Sequence, residues 1–217
     1  MVRAVDHEFI TRLAAPLGSV SKVFAGIGVS REDTAQRPGE RLRVIGVRDL
    51  QDGGVASIGE LDQVGFPDPG RAAGYAVQPD DVLLTGRGTL LKFGLVGPET
   101  TGAIASGNII VVRPGEAALG GALYALLSSD VFRPKIEVLR RGATTLLSLS
   151  PKDLAKLEIS LPPLDEQHRI AALVRDARDA YRTATEAADI RRVLARRLID
   201  ARLFGDNKTH WEGSWPS

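Results

Sequence analysis

From Leu164 to Phe204 the chain contains neither glycine nor proline, and Pro162-Pro163 stands immediately before that run. No other feature restricts the fold so much. About 40 residues without a helix breaker, at 1.5 Å each, make a rod of about 60 Å. Asp165 and Glu166 suit its first turn, where the helix dipole favours negative charge. Ile170, Leu173, Ala177, Ala180, Ala184, Ala187, Leu194, Leu198 and Ala201 step by threes and fours, with Arg191 in the one position between Ala187 and Leu194. That is a seam of ~3.5 residues per turn, the spacing of a coiled coil. Most of the seam is alanine, so a second helix can approach closely. Such a stripe either folds back on its own domain or takes a partner, a second copy or a helix of another protein. A domain of ~160 residues has a radius of gyration of about 15 Å, so the rod overhangs it and pairing is the expectation.

The chain before the two prolines has a different texture. Val44-Ile45-Gly46-Val47, Asp81 to Thr85, Phe93 to Val96 and Asn108 to Val112 are short apolar or β-branched runs bounded by Gly, Pro or Asp. These are strand signatures. Leu17 to Phe24 alternates weakly and reads as an opening strand, and Gln51 to Gly74 as loop with one brief strand. Ala117 to Leu127 and Asp130 to Arg140 read as helices, the first weakened by Gly120-Gly121, the second with Val131, Ile136 and Leu139 on one face and Pro134 in its first turn. Ser150, Pro151 and Asp153 mark the start of a short helix, and Leu157 to Leu161 alternates as a last strand. The fold class is therefore α+β, a small mixed β-rich domain followed by one long coiled-coil-forming helix. The expected boundaries are 1–163, 164–204 and a polar tail 205–217.

Most enzyme classes are excluded. With no cysteine, there is no disulfide framework, thiolate metal site or thiol nucleophile. His7, His168 and His210 are too far apart to share a helix face as metal ligands. Gly97-Pro98-Glu99-Thr100-Thr101-Gly102 has P-loop glycine spacing, but Ala103-Ile104 replace the Lys and Ser/Thr that would hold phosphate and magnesium. Gly26-Ile27-Gly28 lacks the third glycine of a dinucleotide site, and no Gly-x-Ser-x-Gly elbow occurs. Asp80-Asp81 and Asp165-Glu166 read as turn and cap residues. No apolar run reaches the ~20 residues of a membrane span, and Asp6 and Glu8 interrupt any signal-like start, so a cytoplasmic protein is expected.

Basic loop positions remain. Net charge is only +1, but arginine outnumbers lysine 22 to 6. A GC-rich genome suffices to explain the ratio, although the planar guanidinium also suits phosphate and guanine. Gly86-Arg87-Gly88-Thr89 with Lys92, and Arg140-Arg141-Gly142-Ala143-Thr144-Thr145, are two loops that read either as anion-binding or as ordinary solvated turns.

The run Leu146 to Leu154, then Leu157-Glu158-Ile159-Ser160-Leu161-Pro162-Pro163-Leu164-Asp165-Glu166-Gln167, resembles the end of a target recognition domain in the specificity (S) subunit of type I restriction–modification systems. Pro16 to Phe24, Val44 to Leu50, Asp80 to Thr89, Ser106 to Pro114 and Tyr124 to Arg133 fit upstream pieces of the same pattern, with Asp80 where glycine is usual. The resemblance covers about residues 16 to 204. A usual S subunit has two recognition domains and two long helices; this chain resembles a half-subunit with one of each.

The resemblance implies a non-catalytic subunit that reads double-stranded DNA and docks methyltransferase (M) subunits. It needs no cofactor of its own, since S-adenosylmethionine belongs to the M subunit; a restriction (R) subunit can join. Arg31, Arg48, Arg87, Arg140 and Arg141 are the candidates for base or phosphate contact, with Thr89, Lys92, Thr144 and Lys152 as backbone positioners. The long helix would pair antiparallel with a second copy, so that the dimer reads a bipartite inverted repeat. Three rival readings stay open: a recognition module of another phage-defence or DNA-modification system, a coiled-coil interaction protein without DNA binding, and an unrecognised enzyme.

Overall fold

Short apolar runs become strands and the breaker-free run becomes one helix in the computed structural model, which describes residues 13–28, 41–51, 54–143 and 146–204. Strand β1 (Leu13–Pro16) leads into a single helical turn, α1 (Leu17–Val20), and then β2 (Ser21–Ala25). Next come β3 (Arg41–Ile45), β4 (Leu50–Gln51), β5 (Gly54–Val55) and β6 (Asp62–Gly65). Helix α2 (Pro69–Ala73) precedes β7 (Val82–Thr85), β8 (Arg87–Gly88), β9 (Phe93–Leu95), β10 (Ile104–Ala105) and β11 (Ile109–Pro114). Helices α3 (Gly120–Ser128) and α4 (Arg133–Leu139) follow, then β12 (Arg141–Ala143), β13 (Leu146–Ser148), α5 (Pro151–Ala155), β14 (Glu158–Leu161) and α6 (Leu164–Phe204).

The centre is an antiparallel sheet in the order β2-β11-β7-β9. Side chains alternate across a strand, so Val82, Leu84, Ile110 and Val112 enter one core while Leu83, Ile109 and Val111 enter another. Both faces are covered, which is why β7 and β11 are apolar at consecutive positions rather than at every second one. The first core also holds Leu123 and Leu127 of α3, Ile136 of α4 and Leu154 of α5. A second sheet, β10-β3-β6, carries a smaller core of Val44, Val64, Phe66, Ala72 and Ile104.

Several expectations change. The opening strand is broken, because Leu17 and Val20, three residues apart, both turn into the first core through one helical turn. The stretch from Gln51 to Gly74 holds β5, β6 and α2 among its described residues, more structure than its turn composition suggests. Val131 lies before α4 and is 67% exposed, so it does not share the buried face of Ile136. Ser150 takes the N-cap position of α5, but its hydroxyl makes no capping bond.

Polar groups fix the long helix to this scaffold. Gln167 is 2% exposed; its Oε1 accepts from Leu119 N at 2.9 Å, and its Nε2 donates to Pro162 O at 2.9 Å and Ala117 O at 3.2 Å. Leu119 is the N-cap of α3 and lacks a capping side chain of its own, so Gln167 satisfies that helix start from outside. Gly121 is required beside it: a Cβ there would lie 2.8 Å from both Cα and Cβ of Ala171. The glycine pair that weakens α3 in isolation therefore lets α6 approach. Gln167, Ala171 and Val174, spaced by four and three, make the docked face of α6. The chain forms two compact units, Met1–Arg175 and Asp176–Ser217, whose boundary lies within α6.

Candidate nucleic-acid interface

Three short strands bring the two candidate loops together. The sheet β12-β13-β8 pairs Arg141 with Ser148 and Ser148 with Arg87. Directly opposed residues share a face, so Arg87, Ser148 and Arg141 form one row. With strands 4.7–4.9 Å apart, the two arginine backbones stand roughly 10 Å from each other. Both arginines are exposed. The Gly86–Thr89 and Arg140–Ala143 segments, expected as loops, are thus largely strand. Their short length and Arg/Gly composition hide them from any periodicity test.

A cavity of about 280 Å³ adjoins this row; Arg87, Arg141, Ser148, Ser150 and Gly107 line it, with Asp153 as the one carboxylate. The floor is pinned by backbone bonds: Gly86 N and Arg87 N both donate to Asn108 O, and Leu149 N donates to Gly86 O at 2.7 Å. Gly88 (φ 149°) and Gly142 (φ 140°) hold backbone conformations that side-chain-bearing residues rarely adopt. A Cβ on Gly142 would also meet Leu146 O at 2.4 Å. Lys152 is exposed on α5, between Pro151 and Asp153 of the cavity wall.

Arg140 requires a correction. It was expected at the surface with Arg141, yet its side chain is 1% exposed. Its Nη1 donates to Glu137 Oε2 at 2.8 Å and to Thr89 O at 3.3 Å, and its Nη2 donates to Gly88 O. The backbone at Arg140 is extended, so consecutive residues point opposite ways, one inward and one out.

The other candidates sit elsewhere. Lys92 is half-buried, and its Nζ donates to Leu50 O at 3.3 Å. Arg48 is exposed and paired with Asp62 and Asp49; the hydrogen bond to Asp62 raises its pKa above the ordinary arginine value. Thr89 is exposed beside Leu90, which is 66% exposed at the tip of the β8–β9 connection. Arg31 and Thr144 lie outside the described residues, as does the tail from 205. Ser148 and Arg133 were not anticipated. Arg133 Nη2 donates to Leu91 O at 2.7 Å, so α4 grips this connection a second time. No local signal marks either residue; strand register and a long-range bond do.

On α6, Leu173 (69% exposed) and Ala177, Ala180 and Ala184 of the expected seam are exposed, while Ile170 and Ala187 are half-buried. Leu194 and Leu198 are 51% and 68% exposed. In the second unit, Ile190, Val193, Ile199, Leu203 and Phe204 are also exposed, so the apolar surface there is broader than the seam alone.

A β-rich body followed by one long helix is a fold shared with solved specificity subunits of type I restriction–modification systems. Solved structures with this fold include the following three. One comes from a description of complex assembly and conformational transition in a type I R-M system (20% identity over 90% of this chain and 46% of that one, TM-score 0.56). The HsdS subunit from Thermoanaerobacter tengcongensis matches at 20% identity over 91% and 46%, with a TM-score of 0.55. The type I S subunit from M. genitalium matches at 17% identity over 91% and 47%, with a TM-score of 0.63. The chain spans about half the length of these proteins. No curated protein sequence matches it. The sequence model of the type I restriction modification DNA specificity domain matches residues 68–188, more than half of the chain, and the chain belongs to that family. It is a family defined by DNA specificity, not by a catalytic step. No helix among the described residues is long and apolar enough to cross a membrane.

Proposed function

We propose that this chain reads double-stranded DNA as the specificity subunit of a type I restriction–modification system. The observation that carries the reading is the Arg87–Ser148–Arg141 row, presented by a sheet inside the segment matched to the family. Two forked guanidinium groups on one face can each make bidentate bonds to guanine or to phosphate. Lys152 and Thr89, both exposed, add backbone contacts in this reading. Arg48, Lys92, Arg31 and Thr144 are further candidates of the same proposal.

The long helix supplies the second half of the proposal. The recognition body is taken as residues 1–163 and the pairing helix as 164–204. The seam from Ile170 to Leu198 pairs antiparallel with a second copy, and M subunits dock on the resulting rod. Two recognition bodies then read an inverted repeat whose gap the rod sets. S-adenosylmethionine binds the M subunits, an R subunit adds nuclease activity where present, and the assembly works in the cytoplasm. The exposure of Leu173, Leu194 and Leu198 supports this reading.

Binding of the purified chain to randomised duplexes across a salt series tests it. Expected is binding that weakens steeply with salt, with enrichment of a base pattern. Arg87→Ala and Arg141→Ala should each lower the salt slope by about one if they touch phosphate, or relax one base position if they read guanine. Binding that neither variant alters would refute the assignment. A mass measurement alone and with an M subunit tests the second half; a lone monomer in both would remove the pairing and docking claims.

A further inference from the structure

We propose that Arg140 is a positioning residue for DNA reading: its buried guanidinium ties the peptide that follows Arg87 to the residue that precedes Arg141, and so sets the spacing of the two exposed arginines. The inference rests on the DNA-reading assignment above and goes beyond it, because Arg140 itself cannot reach DNA.

The geometry is specific. Gly88 O is the carbonyl immediately after Arg87, and Thr89 O is the next; Arg140 grips both. Arg140 is also the residue before Arg141, so one guanidinium joins the main chains of both readers. Glu137 of α4 neutralises it and fixes it to the body of the domain. The pairing of β8 with β13 covers only Leu147–Gly88 and Ser148–Arg87, too short a ladder to hold a fixed distance by itself.

A leucine of similar bulk would fill this space without the cost of desolvating a charge. What the cation adds is a fork that holds two carbonyls at once. Gly88 sits at φ 149°, a conformation that leaves its carbonyl direction easily changed once released. Freed from Arg140, the Arg87 end of the row would sample several positions while the phosphate-attracting charge of the surface stayed the same. Spacing would then be lost before affinity.

Arg140→Lys keeps the charge but replaces two guanidinium nitrogens by one ammonium, so the Glu137 carboxylate and the two carbonyls, now served by Nη1 and Nη2, can no longer all be held in the present geometry. The full chain and this variant are compared on randomised duplexes, with Asp80→Val, which loses stability through its left-handed backbone (φ 67°) at a residue outside the row, as a destabilised control. Expected for Arg140→Lys are an unchanged salt slope, unchanged binding to non-enriched duplex, roughly tenfold weaker discrimination among bases, and faster hydrogen exchange at the Arg87 and Lys92 amides. The control should keep the wild-type base pattern. If wild type enriches a pattern and Arg140→Lys enriches the same one equally well, the positioning role is wrong while the DNA reading stands. If wild type enriches nothing, the DNA reading fails and takes this inference with it. Slower or equal exchange at the two amides in Arg140→Lys would refute the clamp by itself.

Discussion

Replacing Gln167 by alanine should destabilise the first unit by about 2–4 kcal/mol, because three hydrogen bonds in a buried site vanish together. Each neutral bond contributes a net ~0.5–1.5 kcal/mol, and a stranded buried donor costs ~1–3 kcal/mol. Gln167 is 2% exposed, and its loss strands the N–H of Leu119 and the carbonyls of Ala117 and Pro162. Against a total stability of ~5–15 kcal/mol, that is a large fraction. Gln167→Glu is the sharper test. The new carboxylate could still accept from Leu119 N, but it would face the two carbonyl oxygens that Nε2 now serves. The protonated form could donate to one of them, so folding would raise the pKa of the introduced acid. A folded-state pKa above the unfolded ~4.3 means that the native form binds more protons. Stability is then greatest below that pH and falls as pH rises towards the folded pKa. Urea unfolding followed by circular dichroism between pH 4 and 8 measures both effects, with pH and unfolding ranges chosen about the ~4.3 reference value. An alanine variant within ~0.5 kcal/mol of wild type, the range of ordinary surface changes, would refute the reasoning. So would a glutamate variant whose stability rises with pH relative to wild type.

Asp81 is fully buried and accepts two bonds from Arg113, from Nε at 2.9 Å and Nη2 at 2.8 Å, as well as one from Gln78 N. Arg113→Met should therefore cost ~3–5 kcal/mol in urea unfolding, with Arg113→Lys losing less. Asp80 holds a left-handed backbone at φ 67°, so Asp80→Val should lose ~1–2 kcal/mol while Asp80→Gly stays within ~1 kcal/mol of wild type; thermal unfolding separates them. Gly121→Val should cost at least ~1–3 kcal/mol by overpacking, read in the same assay, since even a Cβ meets Ala171 at 2.8 Å.

The Asp80 geometry also explains a detail of the sequence pattern. Asp80 stands where the pattern that the sequence resembles has glycine, and its φ of 67° is one that glycine and, among few others, aspartate tolerate. In the Pro-Pro-Leu-Asp-Glu-Gln segment the last residue, Gln167, has a specific task, accepting from the Leu119 N–H at the start of α3.

What the amino-acid order determined by itself was local and periodic. A breaker-free run of 41 residues reads as a helix, and most apolar runs closed by Gly, Pro or Asp read as strands, because both follow from backbone geometry and the spacing of apolar side chains, although Leu17–Val20 is a helical turn. Only the tertiary structure decided which arginine of the Arg140-Arg141 pair turns inward, that Arg87 and Arg141 share a row, and that Gln167 anchors the helix. Those outcomes depend on partners 52 and 48 positions away in the chain, Gly88 for Arg140 and Leu119 for Gln167. A hydrogen bond is set by where folding brings its two ends, and no local pattern of residues carries that information.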